Sequence, residues 1–187
     1  YDMILVGKPT DDSGFGGSAF ASKIIGSEEE KAEDRGAVQV PDPFLDLKVD
    51  AYLDDAYVPD PAQKVELYQR IANLSSLEQC DDLEEEIQDR FGDLPPAARN
   101  LLQSVRIKIL AREVGLESIT VRQSKFELRF LEGRGIDVHK YAALHQKYVG
   151  KISYRHARGG QLQVEKLKGD EQALALLTQV LGEMAHE

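Results

Sequence analysis

The residues able to do chemistry in this chain are charged, and they fall into two groups of opposite sign. Glu84, Glu85, Glu86, Asp89 and Arg90 crowd together just before Phe91-Gly92. On a helix three residues advance ~300° and four ~400°, so Glu86, Asp89 and Arg90 point to one side. Such a face suits docking on a basic partner, though the residues alone favour plain solvation. It supplies no second group for general acid–base catalysis. The opposite group is Arg122, Lys125, Arg129, Lys151, Arg155 and Arg158, followed by Lys166 and Lys168. Arg122 and Arg129 alternate with apolar residues, which places them on the solvent side of a strand. A sheet face with these basic residues and Tyr154 could bind nucleic acid, but it lacks a repeated aromatic stacking platform. A solvated or intramolecular face is the preferred reading, with nucleic-acid binding the alternative.

Three other features offer less. The run Asp11-Asp12-Ser13-Gly14-Phe15-Gly16-Gly17-Ser18 could cradle a phosphate through backbone N–H groups, but no Gly-Lys-Ser/Thr follows, and a flexible turn is the preferred reading. Cys80 falls on an apolar helix stripe and reads as a buried, inert thiol. His139, His145 and His156 show no ligand-like spacing, and no triad, metal centre or cofactor motif is visible. The expectation is a chain without catalytic residues, metal or cofactor.

The elements that position these groups are punctuated clearly from residue 60. Asp60-Pro61 starts a helix with Val65, Tyr68, Ile71 and Ala72 on one face. Ser75 with Glu78 suggests a capping box for a second, whose stripe is Leu77, Cys80, Leu83 or Glu84, Ile87 and Phe91. Asp93 and Pro95-Pro96 open a third, carrying Ala98, Leu101, Leu102, Val105, Ile109 and Leu110 and stopping at Gly115. The period then changes from ~3.6 to 2. Residues 118–122 and 125–130 form one hairpin, and residues 151–155 and 161–165 another, joined through Gly159-Gly160. Between them Asp137 caps a short helix with Val138, Tyr141, Leu144 and Tyr148. Gly169-Asp170 opens the last, with Leu174, Leu177, Leu181 and Met184. This order predicts an α+β fold: helices, then an antiparallel sheet of two hairpins with an intervening and a terminal helix.

Composition agrees with one globular domain plus an appendage. The chain has 187 residues, of which 42% are hydrophobic and 30% charged. A single cysteine excludes an internal disulfide and fits a reducing, cytoplasmic setting, and no apolar run suggests a signal peptide or membrane span. The formal net charge is -10, yet residues 99–168 hold 15 basic and 6 acidic side chains. A local basic surface on an acidic chain is therefore expected.

Two resemblances follow from particular residues. Tyr57-Val58-Pro59-Asp60-Pro61, Lys64 to Ala72, Asp81 to Pro95, Asn100-Leu101-Leu102 and Ala111 to Leu116 together resemble the C-terminal domain of the bacterial transcription-repair coupling factor. The likeness covers residues 46–187. It implies a non-catalytic domain of an ATP-dependent DNA translocase whose motor segments are not recognisable here. It implies docking on the parent's N-terminal module, which is related to the excision-repair helicase subunit. That contact would mask the recruitment surface for the damage-recognition complex until RNA polymerase on DNA is engaged, and it maps onto Glu86, Asp89 and Arg90. Residues 1–45 are different. Ile4 to Ser22 and Arg35 to Phe44 resemble phosphoribosylformylglycinamidine synthase, a purine-biosynthesis enzyme, so the chain reads as a junction of two unrelated proteins.

Overall fold

The computed structural model describes residues 40–156 and 160–186. A short strand β1 (Phe44–Asp46) is followed by three helices, α1 (Pro61–Ala72), α2 (Leu77–Phe91) and α3 (Pro96–Val114). Then come β2 (Leu116–Arg122), β3 (Lys125–Phe130), α4 (Val138–Lys147), β4 (Ile152–Arg155), β5 (Gln161–Glu165) and α5 (Asp170–Ala185). The glycine-rich run at Asp11 to Ser18, and Arg158, lie outside the described residues.

Local chemistry accounts for most helix ends. Asp60 accepts a hydrogen bond from the Ala62 N–H and Pro61 stands in the first turn, so α1 starts where the sequence predicts. Asp137 caps α4 by accepting from the His139 and Lys140 N–H groups. For α2 the capping box is shifted by one residue. Ser76, not Ser75, is the cap, accepting from the Gln79 N–H, while Gln79 Oε1 reaches back to the Ser75 N–H. Gly115 ends α3 at φ +84°, a left-handed conformation that a Cβ disfavours.

The sheet is mixed, and here the expectation of a purely antiparallel sheet is corrected. The order is β1-β2-β3-β5-β4. The two expected hairpins form and join through antiparallel β3–β5 pairing. A fifth strand, β1, adds in parallel to β2, with Phe44 opposite Ser118 and Asp46 opposite Thr120. Residue 45, where the second resemblance ends, lies inside this strand. Parallel pairing needs a long crossover, and here α1, α2 and α3 supply it.

One apolar cluster unites the helices with one side of the sheet. Ile119, Phe126, Leu128, Leu162 and Val164 have no exposed surface and share one buried cluster with the stripes of α3 and α5, which pack along each other. Each such side chain contributes ~1.5–3 kcal/mol relative to exposure. Cys80 belongs to this core, and burial pushes its thiol pKa up, as its place on the stripe of α2 predicts. Two stripes are corrected in detail. In α1 the inward residues are Leu67, Tyr68 and Ile71, whereas Val65 and Ala72 face outward. In α4, Val138 is exposed because it stands in the first turn, beyond the helix's contact with β4 and α5. No helix among the described residues is long and apolar enough to cross a membrane.

Candidate docking surface

Helix α2 presents its charged face across from the end of α1. The two helices are fixed by burial of Leu67, Ile71, Leu83 and Ile87, which leaves their polar sides to meet at the rim. There the Glu86 carboxylate receives both Arg70 guanidinium nitrogens, each at 2.6 Å, a bidentate arrangement. Arg90, one turn further along α2, donates to Glu86 Oε1 at 3.1 Å. The Arg70 hydrogen bonds, with a smaller contribution from Arg90, hold the Glu86 carboxyl at about 2, well below its ordinary 4.5. Glu86 therefore stays ionised across the physiological range and is already neutralised by two cations.

The rest of the acidic run divides by function. Glu84 is turned toward α3, where Arg106 donates to it at 2.6 Å and to Asp81 at 2.7 Å. The Arg106 side chain is 16% exposed, so this pair ties α2 to α3 rather than offering a surface. Asp89 is exposed and, among the described residues, forms no ion pair. Arg90 also lies over the Phe91 ring, 5.1 Å from its centre. Phe91 in turn stacks at a tilt on Tyr57, 5.9 Å away, whose hydroxyl donates to the Gly92 carbonyl at 2.6 Å. The loop holding Tyr57-Val58-Pro59 thus braces the end of α2.

Of the three expected docking residues the structure joins Glu86 and Arg90 at the rim, while Asp89 lies exposed on the same helix. It adds two residues to which the sequence assigned no role. Arg70 sits sixteen positions from its partner on another helix, and only its place in the last turn of α1 hinted at a cation there. Tyr57 acts through a backbone carbonyl, which no side-chain pattern reveals. The basic residues gather elsewhere: Arg122, Lys125, Arg129 and Arg155 share the outer face of the sheet, and Lys151 borders its end. Tyr154 does not join them: it pairs across from buried Leu162 and packs on the core side, 5.8 Å from the Tyr141 ring, because alternation sends it inward. Among the described residues no group of three histidine, cysteine, aspartate or glutamate side chains is placed to hold a metal ion.

Comparison with known proteins decides the lineage. A family model described as the TRCF domain matches residues 47–141. The chain belongs to the TRCF domain family. Its relatives include the transcription-repair-coupling factor of Rickettsia prowazekii (strain Madrid E), 38% identical over 88 residues, which are 47% of this chain and 8% of that protein. The factor of Bacillus subtilis (strain 168) is 28% identical over 126 residues, 66% of this chain and 11% of that protein. The TRCF domain chain thus spans only about a tenth of the length of these relatives. A crystal structure of the C-terminal domain of transcription-repair coupling factor shares the fold, with a TM-score of 0.69 at 23% identity, covering 77% of this chain and 91% of that one. A second similarity accompanies the TRCF domain. Phosphoribosylformylglycinamidine synthase subunit PurL of Methanothrix thermoacetophila is 67% identical over 45 residues, 24% of this chain and 6% of that protein.

Proposed function

We propose that this chain is a non-catalytic docking domain of a cytoplasmic transcription-repair coupling factor, an ATP-dependent DNA translocase. It holds the parent's N-terminal, excision-repair-helicase-like module through the α2 rim. In doing so it masks the recruitment surface for the damage-recognition complex until RNA polymerase on DNA is engaged. The observation that carries this reading is the built rim itself: Asp89 and Arg90 exposed side by side, with Arg90 held by Glu86 and by the Phe91 ring. A free carboxylate beside an oriented guanidinium presents both signs to a partner, which selects register as well as charge. Exposed ion pairs are individually worth only ~0–1 kcal/mol, so a clamp built from a few of them can open.

The test is direct binding between the 187-residue chain and the isolated N-terminal module of a coupling factor, followed by calorimetry. The unaltered chain should bind. Asp89→Lys with Arg90→Glu should weaken binding by about tenfold or more, since like charges would then face each other. Circular dichroism should show an unchanged fold, because both side chains are exposed. Equal affinity for the unaltered and double-reversed chains refutes the docking role of this rim.

A further inference from the structure

The outer face of the sheet is covered by no described element, and its side chains are arranged in complete rows. Alternation sends Leu45, Ile119, Phe126, Leu128 and Leu162 toward the helices, so their sequence neighbours face away. The register then aligns Phe44 of β1, Ser118 of β2, Arg129 of β3, Gln161 of β5 and Arg155 of β4 in a single line across all five strands. The next row is Asp46, Thr120, Glu127, Gln163 and Ser153.

The two rows differ in how far their hydrogen-bonding capacity is used. In the second, every side chain but Thr120 is engaged by a neighbour. Gln163, 8% exposed, donates to Glu127 at 3.2 Å and accepts from Ser153 at 3.3 Å. Arg122 approaches the other Glu127 oxygen at 3.8 Å, and Asp46 pairs with Lys48 at 3.0 Å. The first row is not satisfied. Arg129 and Arg155 are exposed and form no ion pair among the described residues, and one intervening strand sets them ~10 Å apart. Phe44 ends the row, 52% exposed. Beside these rows lies a cavity of about 500 Å³ bordered by Lys125, Lys151, Ser124, Ser153 and Gln163. Its one acid is Glu165, across the register from Lys125. Neither lysine has an ion pair among the described residues.

We propose that this face binds single-stranded nucleic acid. Arg129, Arg155, Lys125 and Lys151 are the phosphate contacts. The Phe44 ring and the flat guanidinium groups are stacking surfaces for unpaired bases, and Gln161 and Ser118 supply hydrogen bonds between them. Unpaired bases can lie flat on a sheet, whereas a duplex hides its base faces and meets a flat surface only through its backbone. An acidic protein segment would match the cations but make no use of the ring and amides in the same row. Uncommitted positive charge gathered on one face of a chain with net charge -10 is itself a selective feature, because the rest of the surface repels phosphate. This surface is separate from the α2 rim, and the inference does not rest on the docking reading.

The experiment is fluorescence anisotropy of a labelled oligothymidine of about 16 nucleotides, the upper range of single-strand site sizes, with the full 187-residue chain at ~50 mM salt. Saturable binding is expected, with a log–log salt slope of about −2 to −3 for three or four phosphate contacts. Arg129→Glu with Arg155→Glu should reduce affinity by about tenfold or more. Arg129→Lys with Arg155→Lys should keep the salt slope yet bind more weakly, because charge survives and the stacking plane does not. Lys140→Glu, on the helix layer, should leave affinity unchanged. Thermal melts should show each variant folded. Failure of the unaltered chain to bind, or equal binding by the double-glutamate variant, overturns the proposal. So does polyglutamate that competes as well as the oligonucleotide, which would assign the face to an acidic protein. Duplex bound as tightly as single strand overturns it too.

Discussion

Glu86 should titrate far below an ordinary carboxylate, and the consequence for stability can be worked from its surroundings. Arg70 grips both of its oxygens at 2.6 Å and Arg90 adds a contact at 3.1 Å, holding the carboxyl at about 2 against 4.5. If wholly realised, that drop would be worth ~3.4 kcal/mol at ~1.36 kcal/mol per pH unit. The three side chains are, however, 37 to 40% exposed, and water screens pairs at that depth. About 1 kcal/mol is therefore the expected contribution. A carboxyl depressed in the folded state adds stability that is fully present above its unfolded value and is lost as pH falls toward the folded one. The window here runs from about 4.5 down to about 2. Glu86→Gln should cost ~1 kcal/mol in denaturant melts near neutral pH, and that deficit should shrink as pH drops through the window. Carboxyl carbon shifts followed by NMR give the midpoint directly. Arg70→Gln should raise it most of the way back, since Arg90 alone makes the longer contact. A midpoint near 4.5 in the unaltered chain, or a Glu86→Gln deficit that is the same near pH 7 and pH 3, would refute the reasoning.

Three further outcomes are expected. The β2–β3 turn places Gln123 and Ser124 at φ +47° and +62°, both left-handed, as a type I′ hairpin requires. Replacing them with Asn-Gly should raise stability by ~1 kcal/mol in thermal melts, and no gain would contradict that turn geometry. Gly160 has φ +82° and lies against the Tyr154 hydroxyl. Gly160→Ala should cost ~2 kcal/mol or more, with part restored by adding Tyr154→Phe, which removes the clashing oxygen but not the backbone strain. Leu45→Ala should cost ~2–4 kcal/mol in denaturant unfolding, because Leu45 is seated in the core; a loss below ~0.5 kcal/mol would mean β1 is not part of the folded body.

Much of this fold is legible in the residues because local signals agree with the global arrangement. Phe126, Leu128, Leu162 and Val164 alternate with polar residues, and Asp60, Asp137 and Gly115 punctuate the helices at the positions observed. What escapes is non-local. The three residues of β1 sit just after Pro41 and Pro43, too short for a period, and their partner strand is some seventy positions away. The stripe of α1 is misphased because Val65 satisfies the spacing while Leu67 satisfies the packing. The α2 rim is half legible. Period alone places Glu86, Asp89 and Arg90 together, but only the packing of α1 on α2 reveals that Arg70 has already claimed Glu86. Charge in a sequence shows which groups are available, and tertiary structure decides which of them are spent.

The distance in sequence between β1 and β2 also sets an order of events. Phe44 must meet Ser118 across α1, α2 and α3, whereas β2 and β3 meet across a two-residue turn. Loop closure costs ~0.6 kcal/mol per doubling of length, so β1 begins several doublings behind the hairpin and has only three residues with which to recover the difference. The hairpins and the helix layer can assemble without it, and β1 then adds to a sheet already formed. By the same reasoning it is the first strand to leave. Its amides should exchange with solvent sooner than those of β3 or β5, and they should do so while the rest of the sheet stays closed. The edge it vacates is that of β2, so a brief opening of three residues is enough to offer this domain's sheet to another strand.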